Sequence, residues 1–284
     1  MLQCLKNAIP IEACSLSDRA LHYGDGCFST MRFVQDQCLL QRRHWARLQF
    51  AAERLSLPLD FAWIERSIAQ LKAQNSSPIH GVVKILISRG VGGRGYSMPD
   101  QPADIYLYYY PAPYSDQEAA IPVPEQIESG VLQQQIGLSM PTLVGVKSLN
   151  RLEQVLLKQE ADQQGWSEAL VSDVQNHIVE GVSSNCFIRI NDAWITPELR
   201  YNGVHGVMRA EILARMQQHQ LHCTHAVIDR QDIDQIQSLF FCNALTPMKI
   251  VHRLNRRTLA VQPCVELFET LQLDHLTSYV ENTI

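Results

Sequence analysis

Between residues 44 and 56 the apolar side chains Trp45, Leu48, Ala52 and Leu55 recur at helical spacing, and Phe61, Ile64, Ile68 and Leu71 repeat the pattern over residues 61 to 74. Two amphipathic helices are predicted there. Val82 to Ser88 and Ile105 to Tyr110 are short runs rich in β-branched or aromatic residues, bounded by Gly and Pro, and they predict strands. From Pro111 to Gly130 the chain carries Pro111, Pro113, Pro122 and Pro124 with several charges and few large apolar groups, the composition of a connection. The expected organisation is a small first domain over residues 1–112, a linker over 113–130 and a larger second domain over 131–284. In the second domain a strand is expected around Val131 to Leu138, a helix from Asn150 to Gln164, a strand pair from Glu168 through Phe187 and Ile190, and a helix from Gly206 to His219. Leu239 to Cys242 reads as a buried strand, Ile250 to Leu259 as a hairpin turning at Asn255, and Pro263 to Leu271 as a closing helix. The fold class is α+β.

Composition narrows the partners. With 46% hydrophobic and 19% charged residues in 284, the chain has the make-up of a soluble globular protein and not of a disordered one. Its net charge of -5 is spread along the length, which excludes a nucleic-acid face and an acidic tail and leaves a small-molecule partner. No run of about 18 apolar residues is present and Met1 to Pro10 lacks the features of a leader, so no membrane span and a cytoplasmic location are expected. The eight cysteines are scattered without a C-x-x-C pair and read as reduced thiols.

Three motifs invite chemistry. Gly90-Val91-Gly92-Gly93-Arg94-Gly95 satisfies G-x-G-x-x-G after a predicted strand, but Tyr96-Ser97-Met98-Pro99-Asp100 cannot open the helix that a pyrophosphate needs. A mobile glycine loop presenting Arg94 to an anionic substrate is expected instead, since guanidinium offers a fork matched to carboxylate. His219, His222 and His225 beside Cys223 have the spacing of shared metal ligands on a helix, yet Gln217, Gln218 and Gln220 mark a solvated helix end, and no metal is expected.

The third motif turns on scarcity, for the chain has only six lysines. Lys72 and Lys158 sit among Gln and Glu on polar helix faces. Lys147 instead follows the apolar run Leu143-Val144-Gly145-Val146, where an ammonium has to be paired, neutral or covalently used. A buried ion pair remains open on the residues alone. Pyridoxal 5'-phosphate is the other reading, because it needs a lysine of adjustable pKa, a carboxylate for its ring nitrogen and an anion pocket. Glu180, within Ile178-Val179-Glu180-Gly181-Val182, is the candidate acid. The turn Gly203-Val204-His205-Gly206-Val207-Met208-Arg209 feeds a helix whose N–H groups could hold phosphate, and Arg47 could add charge.

Taken together, these residues resemble the fold-type IV pyridoxal-phosphate enzymes over nearly the whole chain. The likeness is carried by Ser17-Asp18-Arg19-Ala20, Tyr23 to Thr30, the loop from Ser88 to Tyr96, and Val146-Lys147-Ser148-Leu149-Asn150-Arg151-Leu152-Glu153-Gln154. Glu180 with Asn185 and Phe187, Gly206-Val207-Met208-Arg209 and Cys242-Asn243-Ala244-Leu245 complete it. Within the family the glycine loop and the Lys147 segment are most similar to the aminodeoxychorismate lyases. The resemblance implies a small α/β N-terminal sandwich, a larger C-terminal β-barrel-like domain with flanking helices, the cofactor between them, and a homodimer. It makes Lys147 the Schiff-base lysine and sets Glu180 against the pyridine nitrogen, with Arg47, the Val207-Met208 turn and the Asn243-Ala244 turn on the phosphate. Arg94, Arg89, Tyr23 and Thr30 are the expected substrate contacts. The implied activity is conversion of 4-amino-4-deoxychorismate to 4-aminobenzoate and pyruvate for folate synthesis. A D-amino-acid or branched-chain aminotransferase is the alternative on the same scaffold, and a non-catalytic cofactor-binding protein the remote one.

Overall fold

Side chains alternate between two faces along each strand, and this period builds the first sheet. The computed structural model describes residues 3–112 and 123–276. Its first six strands are β1 (Gln3–Lys6), β2 (Ile9–Pro10), β3 (Gly26–Val34), β4 (Gln37–Cys38), β5 (Gly81–Ser88) and β6 (Asp104–Pro111). They form one antiparallel sheet in the order β2-β1-β6-β5-β3-β4. The turns at Asn7-Ala8 and Gln35-Asp36 hold both residues at positive φ, the geometry that matches the strand twist in two-residue hairpins.

One face of the sheet presents Met31, Phe33, Val83, Ile85, Ile87, Ile105 and Leu107 to Leu48, Ala51, Ile64 and Leu71. The last four belong to two helices that come after the short α1 (Arg19–Tyr23): α2 (Gln41–Arg54) and α3 (Phe61–Gln74). Burying each such aliphatic side chain contributes about 1.5–3 kcal/mol, which is what holds layer to layer. Asp60 starts α3 by accepting the Ala62 N–H at 2.9 Å. Helix α2 begins three residues before the apolar repeat, because Gln41 and Arg42 lie on its exposed side and carry no hydrophobic signal. Phe28, Thr30, Lys84 and Leu86 occupy the opposite face of the sheet and are half-buried.

The later elements are β7 (Glu125–Ser129), β8 (Val131–Ile136), α4 (Leu152–Gln163), β9 (Leu170–Asp173), β10 (Ile178–Gly181), β11 (Asn185–Ile190) and β12 (Ala193–Pro197). They continue with α5 (Val207–Gln218), β13 (Cys223–Ala226), β14 (Ser238–Cys242), β15 (Lys249–Leu254), β16 (Arg257–Thr258) and α6 (Gln262–Thr270). The barrel-like part expected here consists of two sheets. One has the order β10-β9-β8, and the other the order β13-β12-β11-β14-β15-β16 with β7 added beside β15. Their apolar cores are centred on Leu170, Cys186, Ile188, Leu239, Phe241 and Val251, and on Leu132, Leu157, Ala161 and Val171. The chain divides into two compact units: Met1–Ala120 with Val146–Asn150 and Thr277–Ile284, and Ile121–Gly145 with Arg151–Leu276.

The linker expected over 113–130 is corrected in part. Residues 113–122 lie outside the described residues, whereas Glu125–Ser129 is a strand paired in parallel with β15. Only Ile127 and Ser129 of β7 are buried, so its period-two pattern is too short and too polar to stand out from prolines and charges. Among the described residues no helix is long and apolar enough to cross a membrane.

Candidate active site

In the first unit, residues 147–149 line up beside β3. The Phe28 N–H donates to the Lys147 carbonyl at 3.0 Å and the Leu149 N–H to the Gly26 carbonyl at 3.0 Å. This pairing sets Lys147 against Phe28, with Nζ 4.6 Å from the ring centroid. Lys84, directly opposite Thr30 on β5, brings its own Nζ to 4.7 Å from the same centroid. Both ammoniums draw on the negative ring face. Burial lowers the Lys84 pKa, and among the described residues no carboxylate pairs with it. The expectation that Lys147 leaves a buried run is corrected: Leu143 is exposed, Gly145 and Val146 are buried, and Lys147 is half-buried.

Arg47 lies in the core beneath the other face of β3. It is 9% exposed, donates from Nη2 to the Ser29 hydroxyl at 2.5 Å, and has no carboxylate partner among the described residues. Its Nε makes no hydrogen bond. Burial lowers its pKa to about 10, which leaves it charged at neutral pH. A buried guanidinium without a counter-charge costs several kcal/mol, so this position calls for an anion.

The glycine loop is hydrogen-bonded at several points. Arg19 donates to the carbonyls of Gly95 at 2.9 Å and Tyr96 at 3.3 Å, the Gly95 N–H donates to the Tyr23 hydroxyl at 3.2 Å, and Gln101 holds the carbonyls of Arg89 and Val91. Tyr23 is thus a fastening of the loop. Arg89 is corrected as a substrate ligand. It is 3% exposed, with Nε on Asp25 at 2.8 Å and its two terminal nitrogens on the carbonyls of Ser56 and Leu55. Arg19 shares Asp25 at 2.8 Å, so one carboxylate joins two buried arginines. Arg94 is exposed, and Thr30 is half-buried beside Phe28 and Lys84.

In the second unit Glu180 is 7% exposed, and its Oε2 accepts the Val204 N–H at 3.0 Å and the Asn185 amide at 3.2 Å. Asn185 also donates to the Val204 carbonyl at 2.9 Å, so the acid and the turn into α5 are clamped to each other. A methyl group at Gly206 would collide with the Asn185 amide oxygen, which is why glycine caps α5. No side chain caps this helix, and the first-turn N–H groups at Val207 and Met208 remain for an anion while both side chains are buried. Asn243 turns its amide inward: Oδ1 accepts from Leu245 at 3.0 Å and Thr246 at 2.9 Å, and Nδ2 donates to Ser184 at 3.1 Å. That leaves the Ala244 N–H, not the Asn243 side chain, as the available donor of this turn.

Residues 26–254 match the family Amino-transferase class IV. The chain is 33% identical over 250 residues to the aminodeoxychorismate lyase of Vibrio harveyi, covering 84% of this chain and 86% of that one. The chain belongs to the class IV aminotransferase family. Among solved structures, the 4-amino-4-deoxychorismate lyase of Pseudomonas aeruginosa superimposes with a TM-score of 0.83 at 30% identity, over 96% of this chain and 99% of that one. A hypothetical aminotransferase of Mycobacterium tuberculosis, in a form bound to pyridoxal phosphate, shares the fold with a TM-score of 0.78 at 19% identity, over 96% and 98%. Class IV enzymes depend on pyridoxal phosphate.

Sequence reading did not single out Ser29, His44 or Lys84, and it named Asn185 beside Glu180 without its clamping hydrogen bonds. Lys84 could have been found by its scarcity, as Lys147 was, since it is a lone charge in the strand Val82 to Ser88. The histidine trio does not share a helix face. His219 comes directly after the last residue of α5 and His225 lies on β13, and no group of three or more metal-type ligands occurs among the described residues.

Burial alone would raise the Asp25 pKa; the hydrogen bonds and charges of Arg89 and Arg19 outweigh it and lower it. A carboxylate depressed in the folded state contributes stability above its unfolded value of about 3.9, lost as pH falls through the folded value. Asp25→Asn is therefore expected to lower the melting temperature most at pH 7, with the gap to the parent protein closing below about pH 4. A gap independent of pH in thermal melts would show that the Asp25 charge is not what joins the two arginines.

Proposed function

We propose that this chain is a pyridoxal-phosphate-dependent lyase that converts 4-amino-4-deoxychorismate to 4-aminobenzoate and pyruvate. The observation that carries the reading is Lys147, held by backbone pairing with its Nζ 4.6 Å from the Phe28 ring centroid. The residues fit the cofactor: a buried arginine lacking an anion, an uncapped helix start and a buried, clamped carboxylate are its requirements. Lys147 would hold it through Nζ, Glu180 would face its ring nitrogen, and Arg47 with the N–H groups of Val207, Met208 and Ala244 would grip its phosphate. When bound, the cofactor supplies an electron sink for the carbon that bears the substrate amine.

Released from the cofactor when the substrate amine takes its place, Lys147 would serve as general base, taking the proton from that carbon onto its free Nζ amine. The adjacent carbon–oxygen bond breaks, the enolpyruvyl group leaves with the bonding electrons and becomes pyruvate on protonation, and the carbocycle becomes aromatic. Aromatisation makes the step essentially irreversible. The substrate carries two carboxylates, and Lys84 and Arg94 are the cations of the first unit suited to them; Arg89 is already committed to Asp25.

A homodimer in the cytosol completes the reading. Its support is the stripe Leu152, Val155 and Leu156, exposed at one-turn spacing on α4, and eight free thiols. Val155→Glu is expected to shift sedimentation of the purified protein from dimer to monomer; an unchanged dimer would place the interface elsewhere.

The deciding assay adds aminodeoxychorismate without any oxo acid and monitors pyruvate and 4-aminobenzoate. Equal amounts of both are expected, and turnover that requires an oxo acid would make the protein an aminotransferase. Lys147→Ala should lose both the visible absorbance of lysine-bound cofactor and all turnover, and full activity in this variant would refute the assignment. Lys84→Met should raise KM by roughly 10- to 100-fold with a smaller change in kcat, the range of one charge-assisted hydrogen bond. An unchanged KM would remove Lys84 from substrate binding.

A further inference from the structure

Three polar side chains meet inside the otherwise apolar layer between β3 and α2. Ser29 is 0% exposed, His44 1% and Arg47 9%. Ser29 Oγ lies 2.7 Å from His44 Nδ1 and 2.5 Å from Arg47 Nη2, and Nη2 lies 3.4 Å from Nδ1. A guanidinium has donors only. The Nδ1 that faces Nη2 therefore presents its lone pair, and the hydrogen between Ser29 and His44 comes from the serine hydroxyl. Ser29 then has its lone pairs turned to Arg47 and its proton turned to His44. The imidazole is neutral in this arrangement, with its hydrogen on Nε2, an atom that makes no hydrogen bond among the described residues. Burial first and the Arg47 charge second push the His44 pKa well below its usual value, in agreement with that state.

The arrangement fixes the guanidinium plane. Nη2 is engaged by Ser29, and neither Nη1 nor Nε has a hydrogen-bonding partner among the described residues. We infer that Ser29 and His44 are positioning residues that aim Arg47 at the phosphate of the cofactor, an inference that rests on the phosphate reading of Arg47 given above. Neither side chain touches the phosphate; each acts through Arg47. His44 sets the direction of the Ser29 proton, and Ser29 in turn sets the orientation of the fork.

The test compares two ligands that differ by the phosphate alone. Full-length protein stripped of cofactor is titrated with pyridoxal 5'-phosphate and, in parallel, with pyridoxal, with visible absorbance and melting temperature as readouts. Ser29→Ala and His44→Phe are expected to weaken the phosphorylated ligand by about tenfold or more while pyridoxal changes by less than about threefold. His44→Asn, whose amide oxygen can accept the serine proton, should restore most of the difference. Arg47→Met is the reference, and it should lose the preference for the phosphorylated ligand altogether. If Ser29→Ala does not fold, Ser29→Cys, nearly isosteric and a weak donor, carries the same expectation. Equal weakening of both ligands, or no weakening of either, in the Ser29 and His44 variants while Arg47→Met does separate them would overturn the positioning role and leave the Arg47 reading intact. An Arg47→Met protein that retains the preference would overturn the Arg47 reading, and this inference with it.

Discussion

An arginine buried in a hydrophobic layer constrains the first unit more than any apolar contact does. The neighbours of Arg47 along α2, Leu48, Ala51 and Ala52, are 1%, 1% and 2% exposed and could have been continued by another aliphatic residue. Replacing buried charges by apolar groups of similar volume is often stabilising, so stability alone gives no reason for a guanidinium here. Its presence shapes the surroundings. At Ser29 the inward-facing series Cys27, Met31 and Phe33 of β3 is interrupted by a hydroxyl, and one turn before Arg47 the helix places His44 where an apolar residue would pack. Two departures from the core pattern, on two elements, share one cause.

Buried carboxylates of the second unit are satisfied differently. Glu168, 1% exposed, accepts from the Ser183 N–H at 3.0 Å and from the hydroxyls of Ser183 and Ser184 at 2.8 Å each, so neutral donors stabilise it and it fastens the turn between β10 and β11. Ser184 also receives the Asn243 amide, which links that turn to the one carrying Ala244. Glu180 is clamped at Oε2 by Asn185 and Val204. Preorganisation of this kind keeps a group in its working geometry before a ligand arrives.

Much of this was legible in the sequence, for reasons that differ by residue. The helices and most strands arise from periodicity, and the hairpin at Asn255 from a residue tolerant of positive φ, found there at 54°. Lys147 stood out because lysine is rare in the chain, and Glu180 because an acid among branched apolar residues needs a reason. Arginine was not legible in the same way. Arg19, Arg47, Arg89 and Arg94 look alike in sequence, yet Arg89 is satisfied by carbonyls more than thirty residues away and Arg94 stands exposed. Which arginine is committed depends on long-range register, and no local pattern encodes that.

The shared scaffold also bears on how one family supports both elimination and transamination. On the proposed reading, the groups that would hold the cofactor, Arg47, Glu180, the start of α5 and the Ala244 N–H, would act on phosphate and ring nitrogen and be indifferent to the fate of the substrate after proton loss. Divergence has to arise where the substrate's own carboxylates and leaving group are read. In the first unit the proposal gives that task to the strand face carrying Phe28, Thr30 and Lys84, since Arg89, Arg19 and Tyr23 are hydrogen-bonded within the unit. On the proposed reading, the cation of Lys84 would attract the substrate's second carboxylate. On the same reading, a substrate with one carboxylate would leave the half-buried Lys84 ammonium without a counter-charge, so Lys84 would both recruit the dicarboxylate and penalise simpler amino acids.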